Sequence, residues 1–225
     1  MHNIFQPILN VDKQMNTQIN AYEMLVRDST GSFPGNDFLK SLTTTTGNKK
    51  WITTSRKSLQ AALADHPDRL IYINIEPCQL NFLETWDFLT DIQQKYGQQV
   101  AVEITERRDL VHSPDYLDSR VARLKQMGFS ITIDDVCAGS NTYTFVKHML
   151  PLIDRIKLSL LVFKHEDRET TLDFINAWQK FAHKHHLEFV VEGVSNQQIA
   201  RYFAGEKRVF QQGYYWGKGT LLNDK

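Results

Sequence analysis

Five short apolar runs, each closing on or near a polar side chain and each parted from the next by a helix-length stretch, constrain the fold most. They are Leu70-Ile71-Tyr72-Ile73-Asn74-Ile75-Glu76, Val100-Ala101-Val102-Glu103-Ile104-Thr105-Glu106, Ile131-Thr132-Ile133-Asp134-Asp135, Arg155-Ile156-Lys157-Leu158-Ser159 and Phe189-Val190-Val191-Glu192-Gly193-Val194. Short apolar strands alternating with amphipathic helices imply parallel βα units, and in a closed barrel of such units the strand C-terminal ends converge on one mouth. That mouth would be lined by carboxylates, an Asn and a Lys. Residues 5–10 and 19–27 read as two further strands around a turn at 11–17. A hairpin there departs from strict βα alternation at the start, and places Glu23 and Arg27 on one face.

The helical stretches are 51–66 ended by Pro67, 84–96 stopped at Gly97, and 115–127 capped by Ser113-Pro114 and stopped at Gly128. A fourth runs to Leu150 before Pro151, the longest spans 168–185, and a short one spans 196–203 and leads to Val209 and Phe210. Asn36 or Asp37 is placed to cap a short helix, and the threonine-rich 43–48 reads as an exposed loop. The stripe Phe174, Trp178, Phe181 reads as core packing, and His183, His185 and His186 as charge complementing a helix C-terminus. Tyr214, Tyr215 and Trp216 are equally compatible with rim packing and with stacking on a base.

Lys and Arg total 26, as do Asp and Glu. No basic bias points to a nucleic-acid polymer. Two distant cysteines, Cys78 and Cys137, fit a reducing cytoplasm better than a disulfide scaffold or a zinc site. No apolar run approaches the roughly 20 residues a membrane helix needs. A single cytoplasmic domain over 1–225 is expected, with no sensor domain before the first strand and no membrane contact.

Adjacent carboxylates at Asp134-Asp135 repel unless a cation or a proton sits between them. Taken alone the pair reads first as a helix cap or loop acid; its companions on other strands reverse that. Glu23, Asn74, Glu103 and Asp134 form an all-oxygen set suited to Mg²⁺, Mn²⁺ or Ca²⁺. Asp135 and Glu192 are placed to hold a second ion, with Asp134 bridging. Two such ions clamp the attacking and leaving oxygens of a phosphoryl displacement. Lys157, alone, reads equally as a surface residue that snorkels; inside a strand its natural place is beside the acids.

Taken together, these residues make the chain resemble the EAL-domain cyclic-di-GMP phosphodiesterases. The likeness runs in order through Gln6-Pro7-Ile8, Glu23-Met24-Leu25-Val26-Arg27, Ile73-Asn74-Ile75-Glu76-Pro77, Glu103-Ile104-Thr105-Glu106, Asp134-Asp135, Lys157, Glu192-Gly193-Val194 and Gln212-Gly213-Tyr214. The resemblance implies an α/β fold, a modified TIM (β/α)8-like barrel with an antiparallel strand near the start. It implies hydrolysis of cyclic-di-GMP to linear pGpG with two Mg²⁺ or Mn²⁺ ions. Glu23, Asn74, Glu103 and Asp134 then resemble ligands of the first metal, and Asp134, Asp135 and Glu192 ligands of the second. Lys157 resembles the residue that orients the water, and Glu106 the anchor of the loop after Asp135. Gln6, Arg27 and Gln212 resemble substrate or supporting contacts, and a homodimer or a regulatory protein partner accords with the family.

The chain departs from the family pattern at four places. Val136-Cys137-Ala138-Gly139 replaces Phe-Gly-Thr-Gly, so a positive-φ turn is expected to be lost with the first Gly and a loop-tying hydroxyl with the Thr. Ser159 stands where an Asp follows the Lys, Ser195 replaces an acid, and Gly219 replaces a Pro. The alternative is thus a weak or inactive domain acting as a cyclic-di-GMP sensor or protein-binding regulator. Cys137 reads as an inert small residue, its thiol pKa raised by nearby carboxylates.

Overall fold

The computed structural model describes residues 1–64, 66, 68–107 and 114–222. Eight strands close a barrel in sequence order: β1 (His2–Val11), β2 (Thr17–Arg27), β3 (Ile71–Ile75), β4 (Val100–Ile104), β5 (Ile131–Ile133), β6 (Arg155–Ser159), β7 (Glu188–Glu192) and β8 (Val209–Gln211). β1 runs antiparallel to β2 and to β8, and the other neighbours are parallel, as the hairpin and the βα rhythm predict. The helices are α1 (Asn36–Leu42), α2 (Thr45–Leu63), α3 (Leu83–Tyr96), α4 (Pro114–Gln126), α5 (Tyr143–Met149), α6 (Arg168–Lys184) and α7 (Gln197–Tyr202). None is long and apolar enough to cross a membrane among the described residues.

Strand alternation sorts the side chains into two cores. Ile71, Ile73, Ile75, Val102, Ile104, Ile156, Leu158 and Val191 pack outward against the helices. Ile8, Ala21, Tyr72, Ala101, Val190 and Phe210 form a second cluster inside the barrel. Arg155 closes its lower end: the guanidinium lies 4.5 Å from the Tyr72 ring centroid and 5.0 Å from that of Phe210. Its Nε donates to Glu188 Oε2 at 2.9 Å. Two residues further along each strand the interior turns polar, and this step builds the mouth.

Several expectations need correction. Residues 43–48 are an exposed loop only in part: 43–46 are exposed, but α2 starts at Thr45, Thr44 caps it by accepting from the Gly47 N–H, and Asn48 is fully buried. The cap and the buried amide outweigh weak helix propensity. α1 begins after Gly35, and neither Asn36 nor Asp37 caps it. On α6 the buried face is Ile175, Trp178 and Ala182, whereas Phe174 is 48% exposed and stacks on Phe163 at 5.1 Å. Pro67 and Ser113, expected to bound helices, lie outside the described residues.

Candidate active site

Each strand end delivers one polar side chain inward. Because Ile73 and Ile75 face the helices, Asn74 between them faces the barrel; Val102 and Ile104 do the same for Glu103, and Ile156 and Leu158 for Lys157. Lys157 Nζ lies 3.0 Å from Glu23 Oε2, 2.8 Å from Glu103 Oε2, 2.8 Å from Glu192 Oε1 and 3.3 Å from Asp134 Oδ1. It is a fully buried ammonium amid four carboxylates, not a residue that snorkels.

Neutral amides position Glu23. Asn74 Nδ2 donates to Glu23 Oε1 at 2.7 Å, and Gln212 Nε2 donates to Glu23 Oε2 at 2.6 Å and to Gln6 Oε1 at 3.2 Å. Gln6 Nε2 donates in turn to the Gly217 carbonyl at 2.8 Å. Both glutamines are buried. The structure thus places Gln6 and Gln212 as supports of Glu23, with Arg27 at the rim, where its Nη1 donates to the Val26 carbonyl at 2.8 Å.

Burial and mutual repulsion set the charges. Burial pushes Glu103 up to about 8, against the pull of Lys157 and together with Glu23 and Asp134. Burial, then Asp134 and Glu106, push Asp135 up to about 7. Asp134 and Glu192 are raised chiefly by burial as well, against Lys157. Burial also works against Glu23, but Lys157, Asn74 and Gln212 together hold it below its ordinary value. Burial opposes the charge on Lys157, and the four carboxylates outweigh it, so its pKa lies well above the ordinary lysine value.

A second grouping shares Asp134. Carboxylate oxygens of Glu106, Asp134 and Asp135 all lie within 4.8 Å of one another. Glu106 therefore joins the acids by its side chain, and anchors the following loop by its backbone carbonyl, which accepts from Ser140 N at 2.8 Å. The loss of the first Gly does not abolish the positive-φ turn: Cys137 adopts φ 75°. Ala138 N donates to the Asp135 carbonyl at 3.0 Å, and the Asn141 amide donates to the Asp134 carbonyl, tying the loop without a Thr. The Cys137 thiol accepts from the Trp178 indole at 2.7 Å, and its pKa is raised by burial rather than by the acids. Ser159 Oγ accepts from Leu161 N at 3.2 Å, capping the turn after β6.

The sequence reading did not find a buried polar chain beside these acids. Asn48 donates to Thr85 Oγ1 at 2.8 Å and accepts from Gln79 Nε2 at 2.9 Å, and Gln79 and Glu76 form a reciprocal capping box. Thr105 Oγ1 donates to Glu76 Oε2 at 2.7 Å, and Arg107 Nη1 donates to Glu76 Oε1 at 2.5 Å. Its signal was the spacing Glu76-Pro77-Cys78-Gln79, with Pro at the first helical position.

The donor set fits hard divalent cations. It is all oxygen, its carboxylates outnumber its cations, and the buried Glu103 Oε1 accepts no hydrogen bond among the described residues.

A profile of the EAL domain matches residues 1–219. The cyclic di-GMP phosphodiesterase TpdA of Vibrio parahaemolyticus is 23% identical over 219 residues, covering 96% of this chain and 36% of TpdA. The probable cyclic di-GMP phosphodiesterase PdeD of Escherichia coli is 29% identical over 130 residues, covering 56% of this chain and 23% of PdeD. The chain thus spans about a third or less of these curated relatives. Among solved structures, a manganese and cy-diGMP complex of Klebsiella pneumoniae BlrP1 superposes with a TM-score of 0.77 at 19% identity, covering 99% of this chain and 56% of that one. An EAL domain protein of Listeria monocytogenes superposes at 0.73 and 23% identity, covering 98% and 89%. At these identities the structures carry the barrel alone, and the match over residues 1–219 decides the rest: the chain belongs to the EAL domain family.

Proposed function

We propose that this chain is a metal-dependent phosphodiesterase that hydrolyses cyclic-di-GMP to linear pGpG by in-line attack of water. The observation that carries the reading is the convergence of Glu23, Glu103, Asp134 and Glu192, from four strands, within 3.3 Å of one lysine nitrogen. Glu23, Asn74, Glu103 and Asp134 would hold one Mg²⁺ or Mn²⁺, and Asp134, Asp135 and Glu192 a second. When bound, such ions lower the pKa of water and offset charge on phosphorus.

The chain's own groups do the rest. In the metal-free protein the four carboxylates hold Lys157 well above the ordinary lysine value, which suits it to act as a donor that orients the water or stabilises developing negative charge. Asn74 and Gln212 fix Glu23 in place, and Gln6 acts through Gln212. Arg27, at the rim, suits a substrate phosphate. The names of the two curated relatives support cyclic-di-GMP as the ligand. A cytoplasmic setting and a homodimer accord with the same reading. Incubation of the purified protein with cyclic-di-GMP and Mn²⁺ or Mg²⁺, followed by nucleotide separation, tests it; absence of linear product with either metal sinks the catalytic claim.

A second reading, a cyclic-di-GMP sensor or partner-binding regulator without turnover, is favoured by one observation. At position 159 a neutral hydroxyl caps a turn beside Lys157 in place of the family's acid. Tight calorimetric binding without product would select it.

A further inference from the structure

Arg27 and Arg107 are the two cationic side chains among the described residues lining the cleft, which also presents Glu23, Asp134 and Asp135. Arg27 ends β2 and Arg107 lies three residues past the end of β4, the two strands flanking β3, whereas Lys157 and Glu192 stand on β6 and β7. Among the described residues, Arg107 is held by two carboxylates. Its Nη1 donates to Glu76 Oε1 at 2.5 Å, its Nη2 lies 3.5 Å from Glu106 Oε1, and its side chain stays 40% exposed. Glu76 is itself fixed by Thr105, by the Gln79 capping box and, through Gln79, by buried Asn48. A guanidinium has five donors in a planar fork, so this anchorage aims the fork and leaves donors for a ligand.

We propose that Arg107 is a substrate-binding residue gripping the second phosphodiester of the cyclic dinucleotide, the one not being cleaved. The inference rests on the function proposed above. A cyclic dinucleotide carries two phosphodiesters on opposite sides of its ring. With one at the acids and their ions, the other falls away from that centre, in a cleft whose further acids would repel it. Only rim cations offset that repulsion, and a guanidinium pairs with a phosphodiester through two parallel hydrogen bonds. Arg107 thereby adds to Arg27 on the same side of the mouth.

The test is calorimetric titration of cyclic-di-GMP in EDTA into the wild type, Arg107→Ala and Arg107→Lys, with a separate titration of Mn²⁺ alone. The expected result is a roughly tenfold rise in the cyclic-di-GMP Kd for Arg107→Ala. Arg107→Lys should recover part of it, and Mn²⁺ affinity should stay within about twofold. An unchanged Kd in Arg107→Ala overturns the inference while leaving the proposed function standing. So does a ligand loss matched by a change in Mn²⁺ affinity, which would mean that Arg107 acts through Glu106 on the metal site. Where the wild type binds only with Mn²⁺ present, the comparison moves to KM, and an unchanged KM in Arg107→Ala overturns the inference; a wild type that neither binds cyclic-di-GMP in EDTA nor turns it over with Mn²⁺ overturns both.

Discussion

Lys157 Nζ lies 2.8 Å from Glu103 Oε2, and neither side chain is exposed to solvent. Removing one partner of such a pair strands a buried charge and costs about 3–5 kcal/mol. Lys157→Met should therefore lower the stability of the metal-free protein by about that much at pH 8. The loss should shrink at pH 5, where protons neutralise Glu103 and Asp135. Urea unfolding at the two pH values checks this, and an equal loss at both would remove the acids as the cause.

The same carboxylates set how stability depends on pH. Glu103 at about 8 and Asp135 at about 7 bind protons more tightly than the unfolded chain does. For a carboxylate raised on folding, the stabilisation is present below its unfolded pKa, about 4, and is lost as pH rises through the folded value. Metal-free protein should melt at progressively lower temperature from pH 5 to pH 8, and saturating Mn²⁺, replacing the protons, should flatten that decline. A metal-free melting temperature that rises over this range would contradict the assignment.

Asp134 is the member shared by both groupings, at 3.3 Å from Lys157 and within 4.8 Å of Glu106 and Asp135. Asp134→Ala should reduce product formation to background and weaken binding of both Mn²⁺ ions, read by nucleotide separation and by Mn²⁺ titration. Full activity in this variant would refute the bridging role.

How much of this was legible in the chain follows from the length scale of each signal. Glu23, Asn74, Glu103 and Lys157 were readable because each interrupts an apolar strand, and Asp134 because it closes one, patterns local to five or seven residues. Asn48 and Arg107 were not. Asn48 sits in a threonine-rich stretch of weak helix propensity, and its partners Gln79 and Thr85 lie 31 and 37 residues away. Arg107 meets Glu76 across 31 residues. Pairings between neighbouring βα units leave no periodic trace. The loop after Asp135 misled for a different reason: composition reports what a backbone prefers, and Cys137 takes a left-handed conformation in a loop where its N–H donates to the Asn141 carbonyl at 3.0 Å.

Gly139 has little room in the same loop. Its φ is +50°, and a Cβ there would come within 2.5 Å of the Glu106 carbonyl oxygen. Gly139→Ala must displace either the loop or Glu106, at a cost of about 1–3 kcal/mol. Turnover and Mn²⁺ affinity should both fall while the barrel's far-ultraviolet circular dichroism stays unchanged. An alanine variant with wild-type Mn²⁺ affinity would show that the loop does not hold Asp135 in place.

Ser159 separates the two functional readings. Its hydroxyl accepts from Leu161 N at 3.2 Å, a capping role that an aspartate can also fill, but the added carboxylate is repelled by the acids already there, so Ser159→Asp should lower the melting temperature of the metal-free protein and lower it less with Mn²⁺ bound. On the strand, residue 159 faces inward as Lys157 does, two positions along, so the new carboxylate joins the mouth rather than the helix layer. If the missing acid limits the reaction, steady-state rates with cyclic-di-GMP and Mn²⁺ should rise at unchanged fold. A rate equal to or below wild type would mean that the hydroxyl is not what separates this chain from faster turnover.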